Sequence, residues 1–300
     1  MENNIKSTKI KSKWSPLTIA LFTVLVLYVL IMLIMLWWVL ITASKAYVND
    51  YKSFKDGIES NIIGLPKKFM LFENLFEVSD GFANFTLIEM GFYTVLYALG
   101  CSLSKVVVTC IVAYLCSRYE NWFSKIVYVI VVVTMIIPIV GSQAAEIQMA
   151  KELLLYDKIW GMWIMRANFL GMYFLVFYAV FKSMPKGYYE AATIDGANDL
   201  QVMIKIALPL VKYTFLSIFL ILFIEYWNDY LIPNLYLPSY KTLSLALYQQ
   251  SQAQELKINK IAQVTYVMTT VLIVTIPVVI VFAIFSERLM GNLSVGSIKG

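Results

Sequence analysis

Glu190-Ala191-Ala192-Thr193-Ile194-Asp195-Gly196-Ala197 is a short polar island between two long apolar segments, and the chain runs on from it to Ile206-Ala207-Leu208-Pro209-Leu210. Polar groups are costly inside a bilayer, so a lipid-embedded chain keeps such an island where something in water contacts it. Ser183 and Pro185 favour a helix start just upstream, since a serine can cap the first turn and a proline there forfeits no hydrogen bond. Gly196 can take the left-handed conformation that ends a helix. The island therefore predicts a short helix that stops at Gly196.

A second helix is predicted directly after this turn, with Asn198 or Asp199 as its cap. Gln201 and Lys205 lie on one side of that helix, and the other side is an apolar stripe at helical spacing, formed by Leu200, Met203, Ile204, Ala207 and Leu208. The pattern is typical of a small helix–turn–helix that lies along a membrane surface.

The segment resembles the EAA signature of permease subunits of ATP-binding-cassette importers, in which Glu-Ala-Ala is followed by Gly and then by Ile-x-Leu-Pro. The resemblance implies a coupling helix that docks in a groove of a cytoplasmic ATPase, through Glu190, Ala191, Ala192, Asp195, Gly196, Ala197 and Met203. Met203 stands where the family usually has Phe, and Tyr213 where a second Pro often occurs; a flexible methionine can fill an aromatic-sized space. The alternative is an amphipathic connector that rests on lipid headgroups.

The composition indicates an integral membrane protein. Of the 300 residues, 60% are hydrophobic and 14% are charged, whereas soluble domains carry about 25% charged residues. The chain has no histidine, which weighs against hydrolytic or redox chemistry of its own. Cys101, Cys110 and Cys116 fall in one apolar stretch and read as small buried hydrophobes, so neither a disulfide framework nor a metal site is expected. No Lys/Arg run suits nucleic acid.

Apolar stretches predict an all-α fold with about six transmembrane helices, at 17–42, 85–116, 126–145 (with Pro138 inside), 159–182, 210–232 and 264–285. Residues 43–84 read as an extracellular loop with helices near 49–60 and 69–78, residues 146–158 as a polar connector, and residues 239–262 as partly helical. The predicted organisation is a cytoplasmic tail (1–16), a first transmembrane helix (17–42), the loop (43–84), a permease domain with five helices (85–290) and a second cytoplasmic tail (291–300).

Orientation is predicted from the lysines that precede the first span, which are typical of a cytoplasmic flank: Lys6, Lys9, Lys11 and Lys13. An even number of spans puts both termini, and the island between spans four and five, on that same side. The Lys and Arg counts of the two sides are otherwise nearly equal, so the orientation depends on the first helix and on the resemblance. We expect a multi-pass protein of a bacterial plasma (inner) membrane with both termini cytoplasmic.

Further motifs extend the resemblance to the carbohydrate-uptake branch of these permeases, of the maltose-transporter type. They are Ala113-Tyr114 with Ser117-Arg118, Leu155-Tyr156-Asp157 with Gly161, Trp227-Asn228-Asp229-Tyr230 with Pro233, Thr242-Leu243, and the tail Gly296-Ser297-Ile298-Lys299-Gly300. The resemblance implies a homologous second permease subunit as heterodimer partner, two ATPase subunits at the coupling helix, and an extracellular sugar-binding protein. ATP and Mg would be bound by the ATPase subunits, and consistently this chain has no Gly-x-x-x-x-Gly-Lys-Ser/Thr loop.

Seven residues are candidates for the substrate pathway. Lys105, Arg166 and Glu225 are ionisable at membrane depth, where such groups usually face protein or water. Lys105 and Glu225 are a possible pair, and a purely structural role for these groups is about equally compatible with the sequence. Aromatic rings stack on the apolar faces of sugars, which adds Tyr173, Tyr226 and Trp227, although most aromatics in a chain this rich in them belong to the core. Asn228, like the neighbouring Asp229, either orients hydroxyls or braces the end of span five.

Other functions remain open at this point. The same architecture can carry another organic solute, such as a glycerol phosphate diester or a peptide. An intramembrane enzyme would need a nucleophile with a base, and a channel or sensor would leave the coupling segment unexplained.

Overall fold

The computed structural model describes residues 15–45, 65–66, 69–80, 85–137, 141–255 and 262–290. Within these ranges the chain forms helices and turns without any strand, so the predicted all-α class is confirmed. In chain order the helices are α1 (Pro16–Ala43), α2 (Leu71–Asp80), α3 (Leu87–Arg118), α4 (Trp122–Ile136), α5 (Gln143–Glu152), α6 (Ile159–Arg166), α7 (Met172–Lys182), α8 (Lys186–Ile194), α9 (Asp199–Asn228), α10 (Leu231–Tyr236), α11 (Leu243–Glu255) and α12 (Ala262–Met290).

Four helices in the described ranges are long and apolar enough to cross a bilayer, namely α1, α3, α9 and α12. Two shorter apolar helices, α4 and α7, lie where the third and fourth spans were predicted. A bilayer core needs ~20 helical residues, so α4 and α7 do not qualify by length alone. The number of crossings stays a prediction.

The third predicted span, 126–145, is wrong at its C-terminal end. Helix α4 ends at Ile136, and Ile137 turns away with φ −87° and ψ 112°. A residue before proline is pushed out of the helical region by the proline ring, which explains the stop just ahead of Pro138, itself outside the described residues. A separate helix, α5, then occupies part of the connector predicted at 146–158.

The fourth predicted span, 159–182, is also wrong as a continuous helix. It consists of α6 and α7, joined by an irregular segment at 167–171. Gly171 has φ +117°, a conformation that side chains disfavour. Thr109 on α3 donates its hydroxyl to the Asn168 carbonyl at 3.2 Å, which satisfies one of the backbone groups that the break leaves free.

The extramembrane predictions have mixed outcomes. The helix expected near 69–78 is α2, and residues 239–262 contain α11. The helix predicted near 49–60 lies outside the described residues. The four lysines of the N-terminus and the tail at 291–300 lie outside them as well.

The chain divides into two compact units, and the smaller one comprises the described parts of 1–74 and 261–272. Its main contact closes the C-terminal end of α1. The Asn74 amide donates to the carbonyls of Ala43 and Lys45, both at 2.7 Å, and Thr269 contacts the Ala43 carbonyl at 3.5 Å. Helix ends leave carbonyls without partners, so these contacts stabilise the end of α1.

The larger unit, the described parts of 75–260 and 273–300, is organised around α3. Helices α6, α7 and α9 pack along α3. The core between them is aromatic, and its largest fully buried side chains include Tyr97, Phe174, Phe177 and Tyr236. Close-packed interiors tolerate little change in volume, so this core fixes where α9 stands relative to α3.

Gly100 on α3 is a position where this packing makes a specific prediction. A Cβ built on Gly100 would overlap the indole of Trp163, whose N–H donates to the Leu96 carbonyl at 3.1 Å. We expect Gly100→Ala to destabilise the protein by about 1–3 kcal/mol, because an inserted methyl forces the indole away. Thermal unfolding in detergent measures this effect.

Gly91 on the same helix provides the matched control, because a Cβ there meets nothing within 4 Å. Gly91→Ala is expected to be neutral or stabilising by about 0.5–1 kcal/mol, since alanine loses less backbone entropy in a helix. Equal unfolding temperatures for the two variants would contradict the packing described here.

Candidate functional site

Helix α8 ends in a tightly defined turn. Gly196 has φ +79°. The Gly196 N–H donates to the Thr193 carbonyl at 3.1 Å, and the Ala197 N–H donates to the Ala192 carbonyl at 2.9 Å. These two bonds are the Schellman arrangement, in which a glycine in the left-handed region closes the helix. The predicted stop at Gly196 is therefore the observed end of α8.

Helix α9 begins immediately afterwards with a capping box. The Asn198 side chain accepts from the Gln201 N–H at 2.8 Å, and the Gln201 side chain accepts from the Asn198 N–H at 3.0 Å. Such reciprocal bonds satisfy two backbone donors that a helix start leaves free. We call residues 195–198, between α8 and α9, the elbow. Hydrogen bonds therefore fix the backbone at both ends of the elbow.

Tyr189 anchors α8 to the rest of the larger unit. Its ring is buried, lies 6.4 Å from that of Tyr114 on α3, and has the guanidinium of Arg118 above it at 4.6 Å. A cation over an aromatic face contributes about 0.5–2 kcal/mol. Burial raises the pKa of Tyr189, with Arg118 opposing the shift, so the phenol stays neutral at physiological pH. Tyr189 was not among the residues predicted from the sequence, although its place directly before Glu190 was a usable signal.

The seven predicted coupling residues separate into two groups. Glu190, Ala191, Asp195 and Gly196 are exposed, whereas Ala192 is buried and Ala197 and Met203 are half-buried. The exposed group is therefore available to a partner. Ala192 belongs to the hydrophobic core, and Ala197 and Met203 pack against it.

The apolar stripe predicted on the second helix is divided between exposed and buried positions. Leu200 and Ile204 are 60% and 52% exposed, and the buried positions are Val202, Ala207 and Val211. The reason is a π-helical turn at Met203–Ala207, closed by Leu208 N–H to the Met203 carbonyl, which shifts the register. Pro209 follows, and proline clashes with the carbonyl four residues earlier, so a wider turn ahead of it relieves the crowding.

The predicted shape of this region, a small helix–turn–helix along the surface, is also wrong for its second helix. The residues after the elbow do not form a separate surface helix, because α9 runs without a break from Asp199 to Asn228. Ile194 is 85% exposed at the end of α8, and Leu200 and Ile204 continue the apolar surface onto α9. An exposed apolar surface bordered by Glu190 and Asp195 fits a protein partner better than it fits water.

Tyr189→Ala tests the anchor. We expect uptake of the transported solute to fall about tenfold or more, since α8 loses its only described aromatic and cation–π contacts with α3 and small misplacements of a docked element are costly. Tyr189→Phe keeps the ring and is expected to retain most of the activity. Uptake assays, with membrane abundance measured in parallel, compare Tyr189→Ala and Tyr189→Phe with the wild type. Equal uptake by the three proteins would argue against Tyr189 as an anchor of α8.

A polar pocket of roughly 370 Å³ lies on another part of the larger unit, between α3, α6, α9 and α10. Five of the seven predicted pathway residues line it together with three more, and the lining is Lys105, Arg166, Glu225, Tyr226, Asn228, Asp229, Tyr230 and Ile232. Residues far apart in sequence are thus brought to one cavity. Tyr173 and Trp227 do not line it.

Trp227 and Asp229 have structural partners. The Trp227 indole N–H donates to the Val274 carbonyl at 3.0 Å. One Asp229 oxygen accepts from the Tyr97 hydroxyl at 2.7 Å, and the other accepts from the Ile232 N–H at 3.1 Å. Asp229 therefore braces the bend at the end of α9, the role that the sequence left open for this part of the chain. Asn228 donates to the Ile224 carbonyl at 2.9 Å and is exposed.

Among the described residues, Lys105, Arg166 and Glu225 at the pocket form no ion pair within 4 Å. Lys105 and Glu225 share the pocket, but the one ion pair within 4 Å in the described ranges is Lys182 with Glu120, so the predicted pairing is not formed. Arg166 Nε is buried and has no hydrogen-bond partner among the described residues. Lys105, Arg166 and Glu225 are therefore available to form ion pairs and hydrogen bonds with a molecule that enters the pocket.

The motif Leu155-Tyr156-Asp157 with Gly161 connects two loops through hydrogen bonds. Asp157, at φ 55°, accepts from the Ser239 N–H at 2.9 Å and from the Ser239 hydroxyl at 2.6 Å. A Cβ on Gly161 would overlap the Leu155 carbonyl. The motif thus holds the segment after α5 against the one after α10.

Comparison with known proteins places this geometry in context. A family profile described as "Binding-protein-dependent transport system inner membrane component" matches residues 105–293. The match spans the pocket and the elbow.

Within the described residues no group of three or more His, Cys, Asp or Glu side chains is placed to hold a metal ion.

Relatives match over nearly the whole chain. The chain is 28% identical over 285 residues to the "Probable starch degradation products transport system permease protein AmyC" of Thermoanaerobacterium thermosulfurigenes, covering 90% of this chain and 94% of that protein. It is 26% identical over 273 residues to the "Melibiose/raffinose/stachyose import permease protein MelC" of Bacillus subtilis, covering 88% and 91%.

The fold also occurs among solved structures. It is a chain of the crystal structure of a bacterial ABC transporter involved in the import of the acidic polysaccharide alginate, with a TM-score of 0.73. The two chains are 20% identical, and the match covers 90% of this chain and 95% of that one.

Proposed function

This chain belongs to the family of binding-protein-dependent transport system inner membrane components, and from that premise we propose that it is the membrane-spanning permease of an ATP-driven importer of carbohydrate. It is a multi-pass protein of a bacterial membrane. The chain would provide a path for the solute and a mechanical link to separate ATPase subunits. Catalysis would belong to those subunits, which would bind ATP and Mg.

The observation that carries the coupling role is the elbow. Its two hydrogen-bonded ends connect the exposed surface of α8 to a helix that continues as a candidate span to Asn228. A rigid connection of this kind passes a displacement at its surface to the membrane segment with little loss. Glu190, Ala191, Asp195 and Gly196 would form the contact with the ATPase, and Ala192, Ala197 and Met203 would support it.

The carbohydrate part of the proposal comes from the relatives. Their printed names concern starch degradation products, melibiose, raffinose and stachyose, and maltodextrin. The pocket is compatible with such cargo, because it combines tyrosine rings with polar groups that can reach hydroxyls. Import of another organic solute by the same architecture, a glycerol phosphate diester or a peptide, is the second candidate.

The proposed assembly contains a homologous second permease subunit, two ATPase subunits at the elbow, and an extracellular sugar-binding protein that delivers the cargo. Both termini of this chain would be cytoplasmic, on the side of the elbow. Surrounding lipid would contact α1, whose apolar residues are exposed along almost the whole helix.

Co-purification tests the assembly. The tagged chain, extracted from its own cells in mild detergent, is expected to bring down a P-loop ATPase and a second permease of the same family. Deletion of the chain is expected to abolish ATP-dependent uptake of a labelled oligosaccharide. A chain that purifies without any ATPase, or cells whose oligosaccharide uptake is unaffected by the deletion, would contradict the proposal.

A further inference from the structure

The polar pocket holds more hydrogen-bond donors than the fold uses. Arg166 presents five N–H donors and Lys105 three, and neither side chain makes a hydrogen bond or an ion pair within the described part of the chain. The clearest unused donor is the Nε of Arg166, which is buried. A buried donor without an acceptor costs the full desolvation free energy of that group. A solute that offers hydrogen-bond acceptors at this point would satisfy the Arg166 Nε.

Acceptors within the pocket are fewer. Both oxygens of Asp229 are already engaged, by Tyr97 and by the Ile232 N–H. The carboxylate of Glu225 remains without a hydrogen bond in the described ranges, but it stands more than 4 Å from either cation. The lining therefore carries two positive and two negative side chains, and the groups left without hydrogen bonds are the donors of Arg166 and Lys105 and the carboxylate of Glu225.

We propose that Arg166 and Lys105 bind an anionic group of the transported solute. A guanidinium is planar and presents paired N–H groups that match a carboxylate in a two-bond contact. This inference rests on the proposed function: for a carbohydrate importer, the cargo becomes an oligosaccharide that carries acidic sugars.

The remaining groups at the pocket suit the neutral part of such a sugar. Tyr230 is exposed at the pocket and is stacked on Tyr248, with ring centroids 4.3 Å apart, so the pair offers a stable aromatic face. Glu225 accepts hydrogen bonds from hydroxyl groups. The acidic group is therefore read by Arg166 and Lys105, and the ring hydroxyls by Glu225.

A defined mixture of solutes tests the cargo class. Cells with the complete importer, and matched cells without this chain, receive oligogalacturonates, oligoalginates, their carboxyl-reduced counterparts, maltodextrins and a glycerol phosphate diester. Mass spectrometry follows depletion of each from the medium. We expect chain-dependent uptake of an acidic oligosaccharide and little or none of its carboxyl-reduced form.

Substitutions then connect the preference to the pocket. Arg166→Gln and Lys105→Gln are each expected to reduce uptake of the acidic oligosaccharide about 10- to 100-fold, the size of a lost charge-assisted contact. Arg166→Lys keeps the positive charge but loses the paired N–H donors of the guanidinium. Its uptake should therefore lie between that of the wild type and that of Arg166→Gln. Lys125→Gln removes a positive charge from an exposed site outside the pocket and should leave uptake unchanged. Membrane abundance is measured for every variant.

The outcomes separate the two proposals. Uptake of neutral oligosaccharides alone, or equal uptake of a carboxylate and its reduced form, overturns the anionic-group inference and leaves the carbohydrate proposal standing. Uptake of the glycerol phosphate diester alone overturns the carbohydrate proposal, while the anion contact is retained. If no solute depends on the chain, both are rejected. Well-folded Arg166→Gln and Lys105→Gln proteins with wild-type uptake of an acidic oligosaccharide would also overturn the inference.

Discussion

Gly196→Pro is expected to abolish solute uptake while the protein still inserts into the membrane. Proline fixes φ near −65° and removes the N–H, whereas Gly196 has φ +79° and donates to the Thr193 carbonyl. The mismatch costs about 3 kcal/mol or more, which lowers the population of the native elbow on the order of a hundredfold. The measurement is ATP-dependent uptake normalised to membrane abundance.

Alanine variants test the conformation of Gly196 with a smaller change than proline. Gly196→Ala forces a side chain into the left-handed region at about 1–2 kcal/mol, so an intermediate loss is expected. Gly187→Ala makes the identical change inside α8, where a Cβ meets nothing within 4 Å, and should retain uptake. Wild-type uptake by an abundant Gly196→Pro protein would show that the geometry of the elbow is irrelevant to transport.

Glu190→Lys is expected to detach the ATPase. Glu190 is exposed on α8 and makes no hydrogen bond or ion pair within the described ranges, so its carboxylate is available to a basic group of a partner. Placing like charges together at an interface costs several kcal/mol. We therefore expect loss of the P-loop ATPase from the purified complex, together with loss of uptake.

Two variants control for charge alone. Glu190→Gln removes the carboxylate without reversing it and should weaken the complex less. Glu152→Lys reverses an exposed acid at the end of α5, on the side predicted to face outward, and should leave the ATPase bound. Retention of the ATPase in Glu190→Lys at the wild-type ratio would remove Glu190 from the proposed contact.

Local sequence signals predicted the elbow closely. Gly196 and Asn198 act through neighbouring backbone groups, so their roles follow from the order of residues alone. The π turn ahead of Pro209 was missed, because a register shift depends on how α9 packs and not only on spacing. For the same reason the division of the apolar stripe, with Leu200 and Ile204 exposed and Ala207 buried, was not predicted.

Long-range contacts were predicted less well. Lys105, Arg166 and Glu225 stood out in the sequence because charge is rare in apolar segments, and the structure brings all three to one pocket. The residues that support the site could not be identified from the sequence. Tyr97 donates a hydrogen bond to Asp229, which lies 132 positions further along the chain. Tyr189 is held by a cation–π contact with Arg118 on another helix. Breaks such as the one at Gly171 also depend on tertiary partners, here Thr109.

The central claim is that the surface at the elbow is held by a separate ATPase. Ile194 is 85% exposed there, whereas the native cysteines at 101, 110 and 116 are buried, so an Ile194→Cys variant offers one accessible thiol within the described ranges. A maleimide that carries a photoreactive benzophenone, applied to native membranes and then illuminated, is predicted to yield an adduct with a P-loop ATPase. Leu154→Cys, predicted to face outward, should yield none. Absence of an ATPase adduct at Ile194→Cys, or labelling of that thiol by an impermeant reagent from outside the cell, would contradict the account.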